Sequence, residues 1–393
     1  MIDLTSAHQK LWDWCRKHDF AGYDPFDALN SKLLQSTPFR HSRLARLAVT
    51  QIVKRSPINL RRLLLVPPGK NPKAMALFAL AALANYRRLR TRETESQARE
   101  FLDDLLSLRL EGWSGAAWGY NFDWQSRVFY APRGTPTIVP TAFAARAFSE
   151  AARVFDDSGY LEVARAIGDF ILLDLPRGHE TETEVCFSYT PISNTRIYNA
   201  SLLAAETLAG VGALTGETEW CGWATRAARY VVNRQRDDGS WFYGAEASQS
   251  WIDNFHTAFL LSSLARIIKN CSGAQGAEFQ EALRRGYGFW RSAFFLADGW
   301  PKYYHDGLYP ADIHAAATAI VALADLRDLD AGALALAERI ALWSIENLHD
   351  PRGFFYYQRR RFYTVRTPFM RWSESWMLYA LARLLEEKHA DSP

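Results

Sequence analysis

Two acidic side chains stand at equivalent places in the sequence, each shortly before a histidine. Asp253 precedes His256 in the stretch SWIDNFH, and Asp312, 59 residues after Asp253, precedes His314 in PADIH. Two carboxylates that face one ligand can act as the acid and the base or nucleophile of glycoside hydrolysis. Because Asp is also a good helix N-cap, a purely structural role for both positions stays open.

A third acid, Glu374, lies between Trp372 and Trp376 in the stretch RWSESW, which begins at Arg371. An arginine at this point could pair with the carboxylate of an acidic sugar through two parallel hydrogen bonds. The alternative is a packed helix start in which Arg371 and Glu374 pair with each other.

A loop upstream of the second acid contains Tyr303, Tyr304 and His305. A Tyr–His pair beside carboxylates could abstract the proton next to a uronate carboxyl group, as lyases and C5-epimerases require. We therefore keep Tyr304, His256 and His314 as catalytic candidates in addition to the three acids.

Aromatic residues are frequent, and several tryptophans fall in loops rather than in helical stripes. Aromatic residues make up 14% of the chain, with 14 Trp. Exposed aromatic rings are costly unless they pack or bind something, and their flat apolar faces suit the C–H surfaces of sugars. The predicted sugar-binding residues are Trp251, Asn254, Tyr303, His305, Arg371, Trp372, Trp376, Asp123, Trp124, Tyr198 and Asn199.

A weak repeat of nearly sixty residues is expected to position these side chains. Ala- and Leu-rich stretches begin near Thr141, Asn199, Asp253, Asp312 and Arg371, and residues 73–88 lie one period upstream. Helices that are apolar on every face are buried on every face. More amphipathic segments separate them, at residues 97–108, 160–175, 219–234, 278–290 and 331–347. The alternation predicts an all-α fold, an (α/α)6 toroid with inner and outer helices.

The number of hairpins is open at this point. Residues 8–17 would be the outer partner of the last inner helix and would close a ring of six. Residues 40–54, with 60–65 as a degenerate partner, could instead form a seventh hairpin. We favour a single domain over residues 1–393, with residues 20–70 as an N-terminal insertion or degenerate hairpin.

Composition and motifs argue against several classes of protein. The 46 Lys and Arg nearly balance the 43 Asp and Glu, which gives a net charge of +3 and argues against a nucleic-acid partner. There is no transmembrane-length apolar run and no signal-peptide pattern, so we expect a cytoplasmic protein. The four widely spaced cysteines suggest neither a zinc site nor a redox pair, and no phosphate-binding loop is present. We expect no metal and no cofactor.

Short stretches resemble known toroid families. Residues 235–241, QRDDGSW, resemble the structural glutamine–tryptophan repeats of triterpene cyclases and protein prenyltransferases, although the acidic motif of the cyclases is missing. Residues 251–255, WIDNF, resemble the unsaturated glucuronyl and rhamnogalacturonyl hydrolases. That resemblance implies a general-acid role for Asp253, but His256 stands where those families often have Met. The ring as a whole resembles the N-acylglucosamine 2-epimerases, which implies catalysis by histidine.

Over nearly its whole length the sequence resembles uncharacterised proteins of bacterial capsule and exopolysaccharide gene clusters, on the stretches WIDNFHTAF and PKYYHDGLYPADIHAA. This resemblance implies a role in surface-polysaccharide biosynthesis or processing. Its partners would be a glycan or sugar that is free, lipid-linked or polymeric, together with other polysaccharide-biosynthesis proteins.

Three functional hypotheses follow. The first is a glycoside hydrolase-like enzyme that acts on an acidic glycan through paired carboxylates. The second is a uronate or amino-sugar epimerase, or a polysaccharide lyase, that uses Tyr and His. The third is a glycan-binding assembly component without catalytic activity.

Overall fold

The computed structural model describes residues 3–271, 273 and 276–390, and these are predominantly helical. The helices are α1 (Leu4–Lys17), α2 (Lys32–Gln35), α3 (Arg43–Arg55), α4 (Pro72–Leu89), α5 (Arg92–Ser107), α6 (Ile138–Phe155), α7 (Ser158–Leu173), α8 (Tyr198–Thr215), α9 (Glu219–Val232), α10 (Asn254–Asn270), α11 (Ala277–Phe294), α12 (Ile313–Asp325), α13 (Ala333–Leu348) and α14 (Ser375–Ala390). A short π-helix, Met370–Glu374, leads into α14.

Six inner helices form a closed ring. Helices α4, α6, α8, α10, α12 and α14 each pack against the next, and α14 returns to α4. Their small and apolar side chains permit this, since almost the whole of α4 and α12 is buried. The predicted (α/α)6 toroid is therefore confirmed.

Six amphipathic helices surround this ring. Helices α5, α7, α9, α11 and α13 each pack on the inner helix that precedes them, and α1 packs on α14. The N-terminal helix thus supplies the last outer position and closes the ring, as the sequence predicts. Each outer helix buries one stripe and leaves its charged side chains in solvent.

Repeated Asp-Gly turns join neighbouring hairpins. Gly239 and Gly299 have φ angles of +87° and +92°, which glycine adopts without strain. A Cβ at Gly239 would lie 2.6 Å from the carbonyl oxygen of Arg285 on α11, so the turn lies directly against the next outer helix. The Trp241 ring that follows this turn is buried against Gly286, where it fills the space between hairpins.

Residues 20–70 lie outside the ring. They contain α2, α3 and two 3₁₀ turns, Asp27–Asn30 and Pro38–His41. Helix α3 packs on both turns and on the first strand rather than between two inner helices. The alternative of a seventh hairpin is therefore wrong, because α3 is too exposed and too polar on one side to be an inner helix.

Short antiparallel strands hold the loops at the ends of the helices. They are β1 (Trp124–Gln125) with β2 (Tyr130–Ala131), β3 (Arg177–Glu180) with β4 (Val185–Phe187), and β5 (Ala311–Asp312) with β6 (Gln358–Arg359) and β7 (Thr364–Val365). The β5–β6 pairing places Asp312 opposite Gln358.

Cys221 and Cys271 form a disulfide between α9 and the end of α10. The wide spacing of the cysteines gave no sign of this pair, because the toroid brings adjacent hairpins together. Disulfides persist mainly in oxidising compartments, so the cytoplasmic location stays a prediction. No helix within the described ranges is long and apolar enough to cross a membrane.

Candidate active site

A cavity of about 210 Å³ opens at the N-terminal ends of the inner helices. Asp253 caps α10, while Asn199, His314 and Lys73 are each the second residue of α8, α12 and α4. One water needs about 10–15 Å³ of such space, so the cavity has room for a sugar ring. Its position follows from the ring, which brings together first turns that lie far apart in sequence.

Ten of the predicted site residues line this cavity: Asp253, His256, His314, Tyr303, Tyr304, Trp251, Arg371, Trp372, Trp124 and Asn199. The other seven do not line it: Asp312, Glu374, Asn254, His305, Trp376, Asp123 and Tyr198.

Asp253 and His256 form a tight pair. Oδ1 of Asp253 accepts a hydrogen bond of 3.0 Å from the backbone N–H of His256, while Oδ2 lies 2.7 Å from Nδ1 of the same imidazole. The indole of Trp251 also donates to Oδ2, at 3.1 Å. Since a carboxylate only accepts, neutral His256 carries its proton on Nδ1 and has the lone pair of a base on Nε2.

His314 is a second histidine at the same end of the cavity. The rings of His256 and His314 both contact Phe255, at 3.9 and 4.7 Å between centroids. Burial, together with the nearby Lys73, holds the pKa of His314 well below its ordinary value. Neither ring nitrogen of His314 has a hydrogen-bond partner in the part of the chain that the structure describes. A neutral imidazole with two unused nitrogens is suited to binding a ligand.

The structure does not bring Asp312 and Glu374 to the cavity surface. Asp312 is fully buried behind the wall, where it accepts hydrogen bonds from Gln358, from the indole of Trp372 and from the backbone of His314. Burial raises its pKa to about 6. The predicted carboxylate pair is therefore not assembled around the cavity, because Asp312 turns inward as a helix cap.

Glu374 lies still deeper. Its side chain is fully buried, and Oε2 accepts a hydrogen bond from the backbone N–H of Phe355. Burial raises its pKa well above the ordinary value, which favours the protonated form. Glu374 does not pair with Arg371, because Arg371 instead forms a two-point ion pair with Asp24.

Two further predicted residues have structural contacts. Asn254 accepts a hydrogen bond from the indole of Trp290 and donates to the carbonyl of Lys302, which fixes the start of α10. His305 packs beside Phe289 on the outer side of the ring.

The remaining three lie behind or beside the cavity. Trp376 packs on Phe143 behind His314. Asp123 accepts hydrogen bonds from Tyr130 and Arg133, and Tyr198 contacts Tyr230.

Aromatic rings form two walls of the cavity. Tyr243 stacks on Trp251 at 4.4 Å, and it also contacts His256 at 4.6 Å. On the other side Trp372 contacts His314 at 4.1 Å. Burial raises the pKa of Tyr304, so its phenol keeps its proton and acts as a donor rather than a base. These rings provide flat faces for a sugar with polar groups between them.

The cavity carries more positive than negative charge. Lys54, Arg55, Lys73 and Arg127 line it together with Arg371, whose charge is already balanced by Asp24, and Asp253 supplies the single carboxylate among the described lining residues. Lys73 is buried with Nζ over the rings of Phe143, Phe259 and Trp376, at 4.7, 5.3 and 5.1 Å. Burial and the neighbouring Arg371 lower its pKa, while the three rings favour the ammonium form.

Several residues that line the cavity were not among those predicted from the sequence. Lys73 stands near the start of an otherwise apolar inner helix, and a lysine at that position was a signal for the cavity. Tyr120, Tyr189 and Tyr243 come from loops without a repeat position to mark them. Lys54 reaches the cavity only because α3 folds over the mouth of the ring.

Comparisons with known proteins agree with the fold. No protein-family model matches the sequence, and no curated protein matches it. A cellobiose 2-epimerase from Bacillus thermoamylovorans B4167 is similar in structure, with a TM-score of 0.63 and 15% identity over 81% of this chain and 88% of that chain. A GH76 alpha-mannanase from Bacteroides thetaiotaomicron has a TM-score of 0.61 and 12% identity over 81% and 86%.

An unsaturated glucuronyl hydrolase specific for heparin has a TM-score of 0.57 and 18% identity over 80% of this chain and 86% of that chain. At such low identities these similarities establish the shared toroid fold. The resemblance to glucuronyl hydrolases and 2-epimerases is confirmed at that level, and none of the comparisons bears on capsule genes.

Proposed function

We propose that the protein is a carbohydrate-active enzyme that epimerises or isomerises a sugar carrying an acidic group. The observation that carries this proposal is the Asp253–His256 pair in an aromatic cavity, with His314 on the same ring of Phe255. Structural neighbours that are sugar epimerases, a hydrolase of unsaturated glucuronides and a mannanase support a sugar substrate.

The reaction requires a base beside an acidic carbon. Nε2 of His256 would abstract the proton from the carbon next to the carbonyl of an open-chain sugar, and the Asp253 carboxylate would stabilise the imidazolium that forms. The His256 imidazolium then returns a proton to carbon, which restores neutral His256. Return to the neighbouring carbon gives the isomer, and return to the opposite face of the same carbon, after the enediolate has turned, gives the epimer. His314 stays neutral and is available to donate an N–H to a sugar oxygen. Phenol protons of Tyr303 and Tyr304 are available as donors to sugar oxygens.

The preference for an acidic sugar rests on charge. Lys54, Lys73 and Arg127 line the cavity, and among described residues no carboxylate forms a hydrogen bond with any of the three. Arg127 lies 5.3 Å over the ring of Trp251, beside the Asp253–His256 pair. A carboxylate or phosphate on the sugar would neutralise this excess.

Hydrolysis through paired carboxylates is the second candidate. It is favoured by the resemblance at residues 251–255 and by the glucuronyl hydrolase neighbour. It is weakened by the burial of Asp312 and Glu374, which leaves Asp253 without an acidic partner at the cavity. The whole-chain resemblance supports a place in surface-polysaccharide biosynthesis, with a free, lipid-linked or polymeric substrate and other proteins of that machinery as partners.

Proton exchange with solvent tests the proposal. Wild-type protein is incubated in D₂O with aldoses, amino sugars, uronates and sugar phosphates, and NMR follows deuterium uptake and epimer formation. We expect exchange with an acidic sugar, its loss in His256→Gln, and its retention in the matched control His305→Gln. Release of shorter sugars from a polysaccharide without exchange would instead favour hydrolysis, and binding without either reaction would favour a glycan-binding protein.

A further inference from the structure

The outer face of the N-terminal insertion is apolar and basic at once. Residues 28–66 contain eight Lys and Arg and no Asp or Glu, whereas the whole chain has a net charge of only +3. Five of these cations are exposed, namely Lys32, Arg40, Arg43, Arg55 and Arg62, whereas Arg61 is buried in an ion pair with Asp27. Large exposed apolar side chains are concentrated in the same segment: Leu33, Phe39, Leu44, Ile52, Ile58, Leu63 and Leu65. Apolar side chains exposed in this density mark an interaction surface.

Helix α3 has two different faces. Leu44, Ala48 and Ile52 are spaced by four residues and form one stripe, and Leu44 and Ile52 are 78% and 63% exposed. On another side of the helix, Leu47 and Lys54 line the cavity. Helix α3 therefore covers the cavity with its inner side, and its outer side is not covered by any of the described residues.

A hairpin from the other end of the chain extends this surface. The tip between β6 and β7 carries Arg361 and Phe362, and Phe362 is 85% exposed. The tip is joined to the end of α3 because the hydroxyl of Tyr363 donates to the carbonyl of Arg55. We call the exposed side chains of residues 33–65 and of this tip the docking face.

We propose that the docking face binds the surface of an anionic lipid bilayer. Apolar side chains interleaved with cations are what an interfacial segment needs, since the former enter the acyl boundary and the latter pair with phosphates. The absence of any carboxylate from residues 28–66 makes the charge complementary to such a surface. A nucleic acid would use the cations but would gain nothing from exposed Leu and Ile side chains.

Docking in this way would place helix α3, which covers the cavity, at the membrane surface. Docking through the outer side of α3 does not depend on which reaction the cavity catalyses. The chain is nearly neutral overall, but its excess positive charge is concentrated in this segment.

Vesicle co-sedimentation tests the inference with the full chain. We expect binding to vesicles of phosphatidylcholine mixed with phosphatidylglycerol, little binding to phosphatidylcholine alone, and weakening by salt. Arg62→Gln combined with Arg361→Gln should weaken binding by about fivefold for each cation removed. Leu44→Ser combined with Ile52→Ser should also weaken it, because apolar area no longer enters the boundary.

The matched control is Leu173→Ser combined with Ile192→Ser, which removes two apolar side chains of similar exposure, 70% and 58%, far from the docking face in sequence. It should bind like wild type. Circular dichroism melts check that each variant is folded. Wild-type protein that stays in solution with anionic vesicles would overturn the inference, as would equal binding by all variants. Dimers in sedimentation velocity that Leu44→Ser and Ile52→Ser dissociate, without vesicle binding, would assign the face to a second copy instead.

Discussion

Replacing Asp253 by Asn separates the two roles of this residue. Asn is as good a helix N-cap as Asp, so the start of α10 should survive. What changes is the contact with Nδ1 of His256, now 2.7 Å from a carboxylate oxygen. An amide can turn its NH₂ group toward that nitrogen, which would move the imidazole proton to Nε2 and remove the base.

The expected loss has two parts. A hydrogen bond to a charged group contributes about 1.5–3 kcal/mol, which corresponds to about 10- to 150-fold in rate if the imidazolium forms in the transition state. Reversal of the tautomer removes general-base catalysis as well, which contributes about 10²–10⁴-fold. The two losses concern the same imidazole proton and so do not multiply, and we therefore expect deuterium exchange by Asp253→Asn to be about 10²–10⁴-fold slower than by wild type.

The assay is NMR-detected exchange on the acidic sugar that wild type turns over, with urea unfolding measured on the same samples. Asp157→Asn is the matched control, because Asp157 caps the outer helix α7 and is not among the described residues that line the cavity. Undiminished exchange in Asp253→Asn, with an unchanged unfolding midpoint, would refute the role of the Asp253–His256 pair as the base.

Three stability predictions follow from packing and burial, all measured by urea unfolding. Gly286→Ala should lower the free energy of unfolding by about 1–3 kcal/mol, because the new Cβ would lie 2.4 Å from the indole ring of Trp241. A Cβ at Gly288, on the same helix, meets nothing within 4 Å, so Gly288→Ala should raise the free energy of unfolding by about 0.5–1 kcal/mol. Equal effects of the two substitutions would contradict the close packing at Gly286. Arg146→Met should lower the free energy of unfolding by about 3–5 kcal/mol, because it leaves the Glu206 carboxylate buried without its ion-pair partner. The double variant Arg146→Met with Glu206→Leu should recover most of this loss. A double variant as unstable as the single one would show that the unpaired carboxylate is not the cause. Burial lowers the pKa of His8 from 6.5 to about 4, so the contribution of His8 to the free energy of unfolding is complete above pH 6.5 and falls by up to about 3 kcal/mol as the pH drops toward 4. His8→Gln should therefore lose less stability than wild type between pH 7 and 4.5. Parallel stability curves for the two proteins would exclude His8 as the cause of the pH dependence.

Much of the fold could be predicted because the relevant information is local. Ala- and Leu-rich stretches that are apolar on all sides can only be inner helices, and amphipathic stretches between them can only be outer ones. The N-terminal helix is predicted to take the last outer position because the final inner helix otherwise has no partner. The same logic placed Asp253, His256 and His314 near one another, since equivalent first turns meet at one end of a ring.

The repeat does not predict which of two equivalent acidic residues faces the cavity. Asp253 and Asp312 occupy equivalent helix caps, yet Asp253 faces the cavity while Asp312 is enclosed by Gln358 and Trp372. The partner Gln358 comes from a strand 46 residues away that pairs with β5, and no helical pattern announces that strand.

The sequence by itself determined the helical periodicity, the repeat and the set of first turns that share one end of the molecule. Only the tertiary structure decided which polar side chains face the cavity, that α3 covers its mouth with Lys54, and that Arg371 pairs with Asp24 rather than with Glu374. The physical reason is that burial pattern is a property of one helix, whereas the direction and charge of a side chain in a shared cavity depend on contacts among segments hundreds of residues apart.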